Sequence, residues 1–231
     1  MKMNYKASDY KMNLWNSFMD NTELIQDKYK ETMAKIATTY MSDTSFLFRV
    51  YQGFRENERF IEDEATGIRY ERDGSDYILS SEGRECIFDR DSFHRIMAAY
   101  LDLLEDTLPL GTVVDLRKDI FKHVKELDEV KTLRFVITHR FLGRKEDKCY
   151  FPYAGVVYPT GMLGQNEVYH FTRPMVDRVV HMGYRDEMED AFVYLMKNEF
   201  VAEKGKMTYG YATDDGVCEF RKKAGDTIVA N

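Results

Sequence analysis

The sequence predicts an α+β protein, and three observations predict it. Residues 8–40 contain neither proline nor glycine and repeat apolar side chains at helical intervals. Residues 46–88 run in short apolar stretches separated by Asp73-Gly74 and Glu82-Gly83, where tight turns fall. All four prolines (Pro109, Pro152, Pro159 and Pro174) lie beyond residue 108, in a glycine-punctuated, strand-rich remainder. The expected architecture is a long N-terminal helix, a small antiparallel meander with a covering helix, and a second, curved, barrel-like antiparallel sheet closed by a C-terminal helix. At 231 residues the chain suffices for one large domain or two small ones. The change in texture places the boundary at 1–107 and 108–231.

In the first half, Leu14, Phe18, Ile25, Tyr29, Met33, Ile36 and Tyr40 are spaced by three, four or seven residues, one face of a helix. So long a helix either breaks near Asn21-Thr22 or extends to meet a partner. Phe46–Tyr51, Ile68–Tyr70, Tyr77–Leu79 and Cys86–Phe88 then read as strands of the meander. A helix follows from about Asp91 to Glu105, started by Asp91 or Ser92 and faced with Phe93, Ile96, Met97, Tyr100 and Leu104, which cover the meander's apolar side.

The second half opens with Leu108-Pro109-Leu110-Gly111-Thr112-Val113-Val114, a turn entering a strand. Asp119 to Val130 reads as a short helical excursion, Leu133–Thr138 and Tyr150–Tyr158 as strands, and Tyr158–Gly164 as a loop. Val168–Phe171 and Val179–Tyr184 are further strands. Asp186 and Glu189 stand in capping-box spacing ahead of Met188, Phe192 and Leu195, marking a last helix to about Phe200. From Arg221 the chain is a polar tail.

Composition narrows the function. With 33 Lys plus Arg against 40 Asp plus Glu, the net charge of −7 speaks against a nucleic-acid partner. No run approaches the ~18 apolar residues of a bilayer span, so no membrane insertion is expected. Three widely spaced cysteines (Cys86, Cys149 and Cys218) with no CxxC pair fit a reducing, cytoplasmic location.

The sequence carries no grammar of catalysis or cofactor binding. His139, His170 and His181 fall on separate predicted strands without HxH or HxxxH spacing, so no metal site is expected. Cys149, between Lys148 and Tyr150, lacks the glycine pattern of a nucleophile elbow. Gly161 and Gly164 are turn glycines without a phosphate-loop pattern. Asp186, Glu187, Glu189 and Asp190 suit a helix N-terminus, and Arg221-Lys222-Lys223 suits a solvated end. No enzyme activity, cofactor or metal is expected.

Three ordered blocks carry a resemblance. They are Leu108-Pro109-Leu110-Gly111-Thr112-Val113-Val114; then Tyr153-Ala154-Gly155-Val156-Val157-Tyr158-Pro159-Thr160-Gly161; then Phe171 with Val179 through Phe192, that is VVHMGYRDEMEDAF. Leu108 to about Met196 thereby resembles the family known as domain of unknown function 4176 of Gram-positive bacteria. The chain departs from the family pattern by carrying Asp115 to Lys131 in place of a short turn, and by its long N-terminal half.

The resemblance implies a non-enzymatic role: a cytosolic accessory protein or targeting chaperone that binds an LXG-type toxin and helps its export by a type VII secretion system. The runner-up is an immunity protein neutralising a cognate toxin, for which net acidity suits a basic nuclease. Either role needs a surface that pairs with another chain, and the N-terminal helix offers Leu14, Trp15, Phe18, Ile25 and Tyr29 as that surface. Exposed, Trp15 and Phe18 are interface anchors; buried, they only hold the domain together. Trp15 is followed by Asn16-Ser17, so the chain is not itself a small secreted substrate with a Trp-x-Gly turn. Oligomeric state is left open.

Overall fold

The computed structural model describes residues 7–121, 132–162 and 168–213. The chain divides into two compact units, Met1–Asp106 with Tyr194–Met207, and Thr107–Val193 with Thr208–Asn231.

The first unit begins with α1 (Ala7–Asn21) and α2 (Asp27–Thr39), so the single long N-terminal helix is corrected to two. The break falls at Thr22. Its N–H still bonds to the Phe18 carbonyl at 2.9 Å, but its hydroxyl then accepts the Leu24 N–H at 3.2 Å. A side chain of this kind offers the backbone a rival to the next helical bond.

Phe46–Tyr51, expected as a strand, is helical within α3 (Ser45–Glu56). Its buried residues Phe46, Leu47, Val50, Tyr51 and Phe54 fall at helical spacing, visible only when the window extends past the apolar run to Phe54. Asn57, in the left-handed conformation with φ 61°, ends the helix.

β1 (Phe60–Asp63), β2 (Ile68–Asp73), β3 (Asp76–Ser81) and β4 (Arg84–Phe88) form a four-stranded antiparallel sheet in chain order. The covering helix, α4 (Arg90–Leu104), is capped by Asp89, whose Oδ1 accepts the Ser92 N–H at 3.0 Å, rather than by Asp91 or Ser92. Phe93 of α4 packs on Tyr70, Tyr77 and Phe88 with ring centroids 5.3–6.5 Å apart, which closes the sheet's apolar face. Farther along α4, Tyr100 stacks on Trp15 at 4.0 Å and donates to the Met33 carbonyl at 2.6 Å, joining α1 and α2 to α4.

The second unit holds β5 (Val113–Leu116), β6 (Leu133–Leu142), β7 (Cys149–Val157), β8 (Tyr169–Phe171) and β9 (Val176–His181). With the two-residue β10 (Met207–Thr208) they make a six-stranded sheet in the order β10-β7-β6-β5-β9, β8 pairing with β7. The antiparallel pairing was expected; the barrel was not found. Among the described residues no pairing joins β9 to the far side of the sheet, which is not closed into a barrel. Register shifts between Ile137 and His139, and on either side of Val114-Asp115, bend it locally. Val114, Leu116, Phe135, Ile137, Tyr153 and Phe171 fill its core. The Leu108 N–H donates to the Tyr153 hydroxyl at 3.1 Å, anchoring the chain as it enters the unit.

A short 3-10 turn occupies Lys118–Phe121; the remainder of the Asp119–Val130 excursion and the tail from Arg221 lie outside the described residues. The last helix, α5 (Glu187–Lys197), continues into a π turn over Asn198–Glu203. Among the described residues, no helix is long and apolar enough to cross a membrane.

In the first unit Lys11, Lys197 and Lys206 are buried. Lys11 donates to the Met41 carbonyl and pairs with Asp106, each at 3.0 Å. Lys197 donates to the carbonyls of Leu103, at 3.4 Å, and Glu105, which end α4 without helical partners. Burial draws the Lys197 amine down to about 8, against the pull of Asp102 and Glu105. A cation whose proton affinity is lowered by folding destabilises the fold wherever it is charged. The penalty is therefore complete below about pH 8 and is relieved as pH rises from there toward the ordinary lysine pKa. Unfolding midpoints in urea are expected to rise between pH 7.5 and about 9.5, and Lys197→Met is expected to flatten that rise.

Candidate partner-binding surface

The five residues predicted to meet a partner are all buried in the first unit. Leu14 and Trp15 are wholly inaccessible, and Phe18, Ile25 and Tyr29 nearly so. Trp15 packs between Phe18 and Tyr100, and Tyr29 lies edge-on to Phe88. This corrects the expectation of an open contact face: the stripe is real, and it is spent on the core.

An uncovered apolar surface lies in the second unit. Met182, Tyr184, Met188 and Phe192 are exposed, with Tyr184 and Met188 each at 80%. Met188, Ala191 and Phe192 recur at helical spacing on α5 and are exposed. In the sequence Met188, Phe192 and Leu195 mark the helix expected to close the sheet. Periodicity correctly placed them together but could not say which way the face pointed.

Local bonding holds this surface in place. Gly183 donates its N–H to the Thr112 hydroxyl at 3.0 Å, and a Cβ at that position would meet the Leu110 carbonyl oxygen at 2.1 Å. Only glycine lets the strand pass so closely, and the strap leaves Met182 and Tyr184 outward on a fixed backbone.

At the start of α5, Asp186 accepts the Glu189 N–H at 2.9 Å, the first half of the expected capping box. The reciprocal half is missing. The Glu189 carboxylate instead takes both terminal nitrogens of Arg140 on β6, one of them at 2.8 Å. Arg140 is 4% exposed and lies 5.2 Å from the Phe192 ring, which itself meets Phe141 edge-on. The pair clamps α5 by its inner side and leaves the Met188 side free.

Beside this surface runs β9, an edge strand of the sheet. Asp115 on β5 stands opposite Arg134 on β6 and Arg178 on β9. Its carboxylate accepts from Arg134 at 2.7 and 3.1 Å and from Arg178 at 2.8 Å while only 2% exposed. The Arg134 hydrogen bond, then that of Arg178, holds the carboxyl below its ordinary range, against the effect of burial.

The other sequence candidates are dispersed. His139 and His170 both stand opposite Ala154, on the strands flanking β7, and His181 lies on β9. Burial, with His139 nearby, lowers the His170 pKa. Cys149 is buried, as is Cys86, whose thiol burial pushes up to about 11. Gly161 closes a turn with its N–H 2.8 Å from the Val157 carbonyl, whereas Gly164, Cys218 and Arg221-Lys222-Lys223 lie outside the described residues. Among the described residues no group of three or more His, Cys, Asp or Glu is placed to hold a metal ion.

Residues 107–192 match the family model described as "Domain of unknown function (DUF4176)". That segment belongs to this family. No curated protein and no solved structure matches the chain. The DUF4176 segment thus contains the Gly183 strap, the Asp115 bridge, and Met182, Tyr184, Met188 and Phe192 together.

Asp115→Ala leaves Arg134 and Arg178 facing one another across β5. Loss of about 3 kcal/mol of stability is expected, read as a lower urea midpoint at unchanged slope. Because folding lowers the proton affinity of Asp115, its contribution is complete above pH ~4 and fades as pH falls further. The variant is therefore expected to lose stability less steeply in acid than the parent.

Proposed function

We propose that the chain is a cytosolic accessory protein that binds another polypeptide, a targeting chaperone for an LXG-type toxin exported by type VII secretion. The observation that carries this reading is the exposed apolar surface of Met182, Tyr184, Met188 and Phe192, all within the DUF4176 segment. Folded chains seldom leave adjoining large apolar side chains in water unless something covers them. Tyr184 is an anchor of the type that dominates interfaces, and Met188 adapts to varied partner shapes. The adjacent edge strand β9 offers unpaired backbone groups to a partner strand.

The test is co-expression with the LXG toxin encoded beside this chain, with the complex recovered by affinity purification and toxin export measured in parallel. The double variant Tyr184→Asp/Met188→Asp is expected to weaken the complex at least about 100-fold, as loss of two anchors does. Its thermal midpoint should stay within a few degrees of the parent because both side chains already face water. Undiminished toxin recovery by the variant would overturn the proposal. Protection of cells from the toxin with export unchanged would replace it with the immunity reading.

A further inference from the structure

The first unit contains a half-open cleft of about 320 Å³, separate from the surface on the DUF4176 segment. It opens where α1 ends, with Phe18 and Asn21 on one side, Arg95 and Ala99 of α4 on a second, and residues 201–207 on the third. Arg95 and Ala99 are one helical turn apart and share a face.

The third wall is the π turn. The Lys204 N–H reaches back five residues to the Glu199 carbonyl at 3.2 Å, and the Lys206 N–H reaches the Phe200 carbonyl at 2.8 Å. π geometry is rare in proteins and concentrates at ligand sites. Gly205, with φ 60°, completes the bend beside the Arg95 guanidinium.

The lining is divided by chemistry. Phe18, Leu24, Ala99, Val201 and Met207 supply apolar surface. Its charged lining residues are three cations, Arg95, Lys204 and Lys206, and two carboxylates, Glu23 and Glu203. Glu203 is engaged by the Asn198 amide at 2.6 Å and Lys204 by Glu199. Arg95 comes no nearer to Asp91 than 3.9 Å, beyond hydrogen-bond length. Its forked guanidinium thus keeps donors for a planar, two-oxygen anion.

We propose that this cleft binds a small organic carboxylate, the carboxyl on Arg95 and an aromatic or branched aliphatic body against Phe18, Leu24 and Ala99. A volume at the lower end of small-molecule sites sets that size, and the apolar floor excludes a bare inorganic anion as the fitting ligand.

The experiment titrates the full chain with phenylacetate while following the amide resonances of Ala99 and Gly205. Saturable shifts at both are expected. The neutral isostere phenylacetamide and inorganic phosphate should each bind at least about tenfold more weakly, as should phenylacetate to Arg95→Gln. Arg95 lies at the surface without a close ion pair, so this variant is expected to fold with an unchanged thermal midpoint. Absence of saturation overturns the proposal, as does phenylacetamide or phosphate binding as tightly as phenylacetate, or Arg95→Gln binding like the parent. None of these results bears on toxin recovery, which depends on the other unit.

Discussion

The second unit depends on a buried carboxylate. Asp115 sits on the strand between β6 and β9, and its two oxygens are claimed from both sides by Arg134 and Arg178. An ionised carboxylate at 2% exposure is tolerable only when fully hydrogen-bonded, and three guanidinium bonds supply that. The bridge also selects register. Sliding β9 by one residue would turn Arg178 to the opposite face and leave half the carboxylate unanswered. The edge strand beside the candidate surface therefore has one preferred position, and the residues that continue from it, Met182 to Asp186, inherit that position.

A fixed backbone changes the meaning of the exposed side chains that follow. Large apolar residues on a mobile loop find partial cover among their neighbours. Here the Gly183 strap to Thr112 and the Glu189 clamp on Arg140 hold the two ends of a short connection, so Tyr184 cannot fold inward without breaking one of them. The hydrophobic cost of leaving Tyr184 and Met188 in water is roughly 1.5–3 kcal/mol for a side chain of the Met class, and burial against a second chain recovers it. Preorganisation of this kind favours association because little side-chain and loop freedom remains to be lost.

How far the sequence was legible depended on whether a feature is written in neighbouring residues. The α4 helix, the hairpins at Asp73-Gly74 and Glu82-Gly83, and the antiparallel strands of the second half all follow from local period and turn chemistry. The family blocks were legible because they are contiguous, and the family model covers residues 107–192. The break at Thr22 was offered as an alternative but not decided, since one hydroxyl bond settled it. Phe46–Tyr51 failed because five apolar and aromatic residues around Arg49 satisfy both a strand and a helix until Phe54 is counted. The orientation of helical faces was illegible altogether. Leu14, Trp15 and Phe18 carry the same kind of pattern as Met188 and Phe192, yet the first set is core and the second is surface.

That inversion has a physical cause in Glu189. A carboxylate three residues past an N-cap ordinarily folds back onto the cap's own N–H, which would leave the inner side of α5 without a charged group. Arg140, nearly enclosed on β6, demands a counter-ion, and the energy of pairing a buried guanidinium exceeds that of one exposed capping bond. Glu189 therefore turns toward the sheet, on the side of α5 that also carries buried Val193. With Glu189 and Val193 facing inward, Met188 and Ala191 face water, and Phe192 lies between, one side of its ring against Arg140 and Phe141 and the rest exposed. The orientation of α5 thus answers one buried charge on another strand, and no reading confined to the helix's own residues contains Arg140.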